Sequence, residues 1–503
     1  SMAGCAEADP PLRNRKEQTE ETETETKSQI QPLEVLVGGQ YINRWSDDYI
    51  PLAYVSWQDV ILSDGCAAEY PNLAAALINR NREIHALSEE SLEMLCESAE
   101  KEAARMGEDF PGYMDDTRTY IQRADNRIFS ACYQYEIFNG GMRSYYGTTC
   151  LNLDPATGKP VIIDQVITDM DGLPQLLTDA LRAKYTDLPA ETFDGTAKQL
   201  QSYIPEAYTW TIGYQGVTFY FGAYELTDGA AGSLTVTLWF ADNPNLFQKA
   251  YTHCPESGYT ISLPQSGYAD VDLNPDEAGY DQLALGLDEE GRLWIELNDS
   301  RIYNDEFYAY YLDAYLVTPN NENFYLYIDS SSDNDYRALH VYELKAGQPI
   351  LRTVLWGHGF NGQWIESYEL GPTYFAEHFN DLSGYTLYTR TELLSTLTGT
   401  RPYHTDPNTG LPQEDLDHYT MHSDFPPLVS LIPLEVEMLS DQSTETLPAG
   451  TKFSFLRTDN ETYVDMALED GRECRITVVR RDWQLYVNGK WEYDCFENLM
   501  YAG

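Results

Sequence analysis

Residues 127–167 read RIFSACYQYEIFNGGMRSYYGTTCLNLDPATGKPVIIDQVI. Two runs rich in aromatic and β-branched residues, 128–137 and 143–153, flank Asn139-Gly140-Gly141. Those three residues tolerate positive φ, so the pattern predicts a long antiparallel hairpin. The segment LDPATGKP predicts a second turn, leading into a third strand over 161–166. LPQLLTDALRAKY, residues 173–185, has the period of an amphipathic helix. A sheet followed by a packed helix makes this half of the chain α+β.

Working outward, LEVLVGGQYI and YIPLAYVSWQDVILSD upstream read as strands. Tyr70-Pro71-Asn72 opens a helical run. Ser88, followed by Glu90 and Ser91, reads as the N-cap of a second helix that ends near Gly107 and Pro111-Gly112. Downstream, 209–221, 223–226 and 234–240 read as strands.

Three segments carry a resemblance to a known family: EYPNLAAALINRNREI (69–84), YEIFNGGMRSYYGTTCLNLDPATGKPVIIDQVI (135–167) and GVTFYFGAYELTDGAAGSLTVTLWF (216–240). Over residues 35–250 the chain resembles the paired extracellular domains of the RsiV type. Such domains occur in a lysozyme-sensing anti-sigma factor, in the non-catalytic N-terminal region of a peptidoglycan deacetylase, and in lipoproteins of gut Firmicutes. The resemblance implies an α+β fold facing the outside of a Gram-positive gut-type bacterium and, in one branch, lysozyme binding. It transfers no contact residue. The transmembrane and cytoplasmic parts of a sigma regulator have no counterpart in this sequence.

The expected plan has five parts. Residues 1–32 form a disordered lipoprotein tether, polar and charged with a Glu-Thr repeat. Residues 33–255 form the RsiV-like α+β pair. Residues 256–395 form a β-rich aromatic domain, a meander or propeller-like sheet. Residues 396–430 are an irregular connector, and 431–503 a small Src-homology-type β-barrel. Ala3-Gly4-Cys5 matches the close of a bacterial lipobox, with Ser1-Met2 read as a cloning remnant. Cys5 is then the expected lipidation site, anchoring the protein at the outer face of the cytoplasmic membrane.

Acidic residues outnumber basic ones 81 to 32, for a formal charge of −49. Residues 256–430 alone hold 29 acidic against 7 basic side chains. This surface repels nucleic acid and anionic headgroups, which excludes both as partners except through a lipid at Cys5. It attracts cations and basic proteins. The 39 tyrosines suit an exposed β-protein, where ring packs and hydroxyl meets water.

No Gly-x-Ser-x-Gly elbow, His-Glu-x-x-His helix, phosphate loop or dinucleotide motif occurs, and no cofactor is implied. Asp329, Asp333 and Asp335 alternate like the start of a calcium loop. Asn334 stands where that loop needs glycine, and the alternative is a plain acidic turn. Trp356, Trp364, Tyr368 and Tyr374 offer an aromatic platform for a sugar, or else core packing. Paired carboxylates for glycoside cleavage cannot be singled out among so many acids. Cys132 and Cys150 lie equidistant from Gly141, within disulfide reach if their strands pair, and Cys474 and Cys495 share the last domain. Buried free thiols are the alternative for both pairs. The sequence therefore predicts a non-catalytic cell-surface binding or sensing module, for a cationic protein such as lysozyme or for cell-wall glycan. An extracellular glycan hydrolase or esterase with its site in the aromatic middle domain, and a structural spacer, are the competing classes.

Overall fold

The computed structural model describes residues 30–229, 231–265, 267–345, 347–366 and 370–502. Cys5, the rest of the expected tether up to residue 29, and Tyr368 lie outside the described residues.

Strands β1 (Val35–Trp45) and β2 (Pro51–Leu62) pair antiparallel. β2 then pairs parallel with β3 (Tyr113–Ala124), which requires a crossover connection. One 36-residue helix, α1 (Pro71–Met106), supplies it. The helix start expected at Ser88 is absent, and Ser88 is buried mid-helix. No glycine or proline falls between Leu73 and Met106, so nothing terminates the helix there. Leu73, Leu77, Ile84, Leu92, Leu95, Ala99 and Ala103 pack on Val55, Trp57, Val60, Phe129 and Tyr133. Buried Asn81 fastens helix to sheet: its Nδ2 donates to the Val60 carbonyl at 2.9 Å, and its Oδ1 accepts the Val60 N–H at 3.0 Å.

The opening hairpin is β4 (Phe129–Phe138) and β5 (Tyr145–Leu153), which extend the sheet beyond β3. Residues 161–166 make a 3-10 turn at Ile163–Gln165 in place of the expected strand. The Ile162 N–H donates to the Gln165 side chain at 2.8 Å, not to a neighbouring strand. Helix α2 (Leu173–Lys184) covers a small sheet of β6 (Thr209–Ile212), β7 (Gly216–Phe221) and β8 (Leu234–Trp239). The run 209–221 thus folds back on itself, because Gly213 N–H donates to Gly216 carbonyl across a tight turn. Residues 223–226 are likewise a turn, not a strand.

The middle of the chain forms two sheets packed face to face. β9 (Tyr259–Ser262) leads to a four-stranded sheet, β10 (Ala269–Val271), β11 (Asp281–Leu287), β12 (Arg292–Leu297) and β13 (Ser300–Tyr308). The meander β14 (Tyr311–Asn320), β15 (Asn323–Ser331), β16 (Arg337–Lys345) and β17 (Gln348–Trp356) follows, with β9 on its edge. Period-two alternation divides its faces. Leu312, Ala314, Leu316, Leu326 and Ile328 pack on the β10–β13 sheet. Tyr315, Val317, Tyr325 and Tyr327 face Phe360, Phe379 and Tyr385.

After β18 (His358–Phe360) the chain returns to the N-terminal sheet. β19 (Gly362–Ile365) and β20 (Thr373–Glu377) form a hairpin, and β20 zips onto β1 through Leu36–Glu377, Val37–Ala376 and Gly38–Phe375. The seven-stranded order is β19-β20-β1-β2-β3-β4-β5. Glycine is required at position 38, where a Cβ would stand 2.8 Å from the Phe375 ring.

The stretch 396–430, expected to be irregular, carries strands Leu397–Thr405, Pro412–Glu414, Tyr419–His422 and Leu428–Ser430. Its Pro, Asp and Gly residues sit in the turns between them; Asp406 Oδ1 accepts the Asn408 N–H at 2.7 Å. The last strands close around Leu434, Val436, Phe453, Val464, Met466 and Ile476. An α+β N-terminal half followed by all-β units is the fold class expected from the sequence.

All seven described cysteines are free thiols. Cys132 and Cys150 are direct cross-strand partners, as the hairpin reading requires, yet no bond joins them. Burial pushes Cys132 up to about 12, and its sulfur meets the Tyr220 hydroxyl. Cys474 lies opposite Met466 and Met438, whereas the Cys495 thiol donates to the Val487 carbonyl at 3.6 Å. These two are not in register and do not pair.

Candidate functional site: a cavity between two sheets

One face of the N-terminal sheet is covered by α1. The other face looks toward the β14–β17 meander, and its residues are polar. Ser56 and Gln58 on β2, and Asp116, Arg118 and Tyr120 on β3, alternate with the residues that pack on the helix. Between the two sheets lies a cavity of about 370 Å³. That volume is within the ~300–1,000 Å³ range typical of small-molecule sites.

Opposite Arg118, the β14 residues Tyr311, Asp313 and Tyr315 form the second wall. Arg337 of β16 and Tyr374 of β20 complete it. Arg118 Nε donates to Asp116 at 3.1 Å, and its Nη1 donates to Gln265 Oε1 at 2.9 Å. Ser56 Oγ donates to Asp116 at 2.5 Å. The side-chain Oε1 of Gln58 accepts the Thr119 N–H at 2.8 Å. These bonds fix the side chains while leaving donors on the Arg118 guanidinium and the Gln58 amide for a ligand.

The floor is a charged group that sequence reading did not assemble. Asp313 and Asp329 are direct cross-strand partners on β14 and β15, so their carboxylates share one face. Tyr311 donates its hydroxyl to Asp313 at 3.1 Å. Arg337 Nη2 reaches Asp329 Oδ2 at 3.3 Å, and the same oxygen accepts the Phe360 N–H at 3.1 Å. Burial pushes Asp329 up to about 7, opposed by Arg337 and reinforced by the charge of Asp313. Burial raises Asp313 as well. Gly359 is indispensable here, since a Cβ would stand 2.6 Å from Arg337 Nε and 3.1 Å from Asp329 Oδ1. Of the two carboxylates only Asp313 lines the cavity.

Beside Arg337, the wall continues into Glu377, the last residue of β20, and His378, just past it. Burial raises Glu377 and pushes His378 down to about 3. A second cavity, about 500 Å³, opens on the other side of this pair, so Glu377 and His378 form the partition.

The aromatic candidates divide. Tyr374 lines the cavity, and Trp364 stacks edge-on against it at 5.7 Å while remaining 67% exposed. Trp356 stands apart from them, packed on Phe307 and His340. Tyr368 lies outside the described residues. The three candidate calcium aspartates do not converge. Asp329 is turned to Arg337, Asp335 accepts the Tyr388 hydroxyl at 2.9 Å, and Asp333 is exposed in the turn. Among the described residues no group of three or more His, Cys, Asp or Glu side chains is placed to hold a metal ion. No described helix is long and apolar enough to cross a membrane.

Sequence reading missed Arg118, Asp313, Arg337, Glu377 and His378. A signal existed for Asp313: it is the one charge in the otherwise aromatic and apolar run YYLDAYLV.

No family model and no curated protein matches the chain. Two solved structures similar to part of it belong to the DUF3298 family. One is from Bacteroides fragilis NCTC 9343, at 15% identity and a TM-score of 0.32, covering 44% of this chain and 96% of its own. The other is from Pseudomonas aeruginosa PAO1, at 13% identity and a TM-score of 0.28, covering 44% of this chain and 98% of its own.

Proposed function

We propose that the protein is a non-catalytic binding module of the cell surface, held at the membrane through a lipid on Cys5, and that its inter-sheet cavity takes a fragment of cell-wall glycan. One observation carries this reading: the cavity combines tyrosine faces with fixed, incompletely engaged hydrogen-bonding groups. Tyr120, Tyr311, Tyr315 and Tyr374 supply flat surfaces suited to pyranose rings. Arg118 and Arg337 face the cavity from opposite sheets and suit the carboxylate of an acidic amino sugar. The RsiV-type resemblance of the first half fits a sensing role. Calorimetric titration of the full chain with muramidase-released peptidoglycan fragments tests it. Saturable one-to-one binding supports the reading, and no heat at millimolar fragment rejects it.

A second reading rests on a different observation. Many described cationic side chains are already paired within the chain, among them Arg123 with Asp125, Lys184 with Asp270, Arg352 with Glu343 and Arg475 with Asp465. The acid surplus therefore remains as an outward negative field, which favours a basic protein such as lysozyme. That binding would weaken steeply with salt. Its absence in a low-salt titration removes the lysozyme reading.

A further inference from the structure

A second ligand surface stands on the C-terminal unit and shares no residue with the inter-sheet cavity. Strands Val479–Arg481, Gln484–Val487 and Lys490–Trp491 form a small antiparallel sheet, followed by the helical turn Glu492–Cys495. Between this ribbon and the loop holding Glu392 and Thr396 runs an open groove of about 290 Å³. Its walls are pinned. The Thr396 N–H donates to the Met500 carbonyl at 2.8 Å, and the Ala502 N–H donates to Thr396 Oγ1 at 3.2 Å.

Four large rings border the groove: Trp483, Trp491, Tyr493 and Tyr501. Trp483 is 77% exposed, and the other three are between 36% and 47% exposed. Trp491 lies 4.8 Å from Tyr493 with the planes inclined at 52°, and Tyr493 lies 6.3 Å from Tyr501 at 45°, so the three make one contiguous wall of tilted faces. The core beneath is built by Leu485, Val487, Cys495 and Phe496 from the same segment. The rings thus have no part in closing the core, and their clustering on one open groove calls for a ligand.

Charge and hydrogen bonding narrow the chemistry. In this segment Arg480, Arg481 and Lys490 balance Asp482, Glu492 and Asp494. With Glu392 on the opposite rim, the groove carries one net negative charge, close to balance within a chain of charge −49. Screening over about 8 Å at physiological salt leaves the local balance in control at contact range. Neither a polyanion nor a polycation is selected. Of the groove's tyrosine hydroxyls, that of Tyr501 is engaged, donating to Glu492. The groups left at the rim are the Arg480 guanidinium, the Gln484 amide N–H and the Glu392 carboxylate. Planar donors and acceptors beside a row of exposed ring faces match vicinal hydroxyls on a pyranose.

We infer that this groove binds a neutral oligosaccharide, with Trp491, Tyr493 and Tyr501 stacking on successive sugar faces and Trp483 closing over one side. The test uses the full chain, a panel of neutral oligosaccharides including chitohexaose and xylohexaose, and a proline-rich decapeptide. Binding is read by tryptophan fluorescence and calorimetry at low and high salt. At least one neutral oligosaccharide binds with salt-independent affinity. Trp483→Ala and Tyr493→Ala each weaken it about tenfold, with thermal midpoints unchanged because both rings are exposed. Arg118→Ala, in the other cavity, leaves it unaltered. No binding across the panel overturns the inference. So does binding that survives both ring substitutions, binding lost only in Arg118→Ala, or binding of the peptide in place of the sugars. The inter-sheet cavity is tested by Arg118→Ala alone, so the two sites succeed or fail separately.

Discussion

His378 forms part of the partition between the two cavities, and replacing it gives a stability change of defined sign. Its ring lies 5.5 Å from Tyr315, and its backbone N–H donates to the Val35 carbonyl at 2.9 Å. Among the described residues no charge partner favours the imidazolium, and burial holds the group down to about 3. The unfolded-state value is about 6.5. A depressed base contributes stability that is fully present above about pH 6.5 and is lost as pH falls toward 3. His378 is half-buried against two cavities, which screens the charge, so the loss across that window is on the order of a few kcal/mol. Glu377 beside it is raised by burial and acts in the opposite sense, losing stability as pH rises. Comparison with His378→Gln cancels that contribution and isolates the imidazole. Urea unfolding at half-unit steps from pH 3.5 to 7.5 is the assay. The wild-type curve falls on the acid side more steeply than the variant, by a few kcal/mol at pH 4. Parallel curves refute the reasoning, because they mean the ring is solvated or paired.

Three further outcomes follow from buried contacts. Arg123 and Asp125 are both fully buried; Arg123 Nε donates to Asp125 at 2.7 Å, and its Nη groups donate to the Tyr251 and His253 carbonyls. Arg123→Leu strands the aspartate and lowers stability by about 3–5 kcal/mol in urea unfolding. Asn81→Ala releases α1 from Val60 and lowers stability by about 1–3 kcal/mol, read as a fall in thermal midpoint. Gly359→Ala drives a methyl into the Arg337–Asp329 pair and costs about 3 kcal/mol or more, whereas Gly357→Ala, with its nearest contact at 3.3 Å, acts through its positive φ of 75° instead. Fragment titration of Gly359→Ala shows weakened binding, since Arg337 walls the cavity.

Where pattern and local chemistry agree, the fold is legible. Asn139-Gly140-Gly141 and its flanking strands place Cys132 opposite Cys150 in the structure. The helix over 173–184 follows from its apolar stripe. Ser88 misleads because a serine caps a helix only where the preceding backbone leaves helical φ/ψ, and an alanine- and leucine-rich run gives it no reason to. The strands in 397–430 hide among prolines and aspartates because three of the four are only three or four residues long and the nine-residue one, Leu397–Thr405, contains Pro402. The cavity is illegible for a topological reason. β20 lies more than 300 residues from β1 in the chain, and nothing in GPTYFAE announces that it pairs there. Asp313 and Asp329 likewise become partners only through the β14–β15 register. Trp364 and Tyr374 do meet, because they face each other across a short hairpin.

The central claim is that the inter-sheet cavity is the glycan site. Calorimetric titration of purified peptidoglycan fragments into wild-type protein and Arg118→Ala tests it most directly. Arg118 is 44% exposed at its side chain, so the substitution removes a ligand donor without unfolding the sheet. The account predicts one-to-one binding by the wild type and at least about tenfold weaker binding by the variant. Equal affinity for both proteins, or no binding by the wild type, contradicts it.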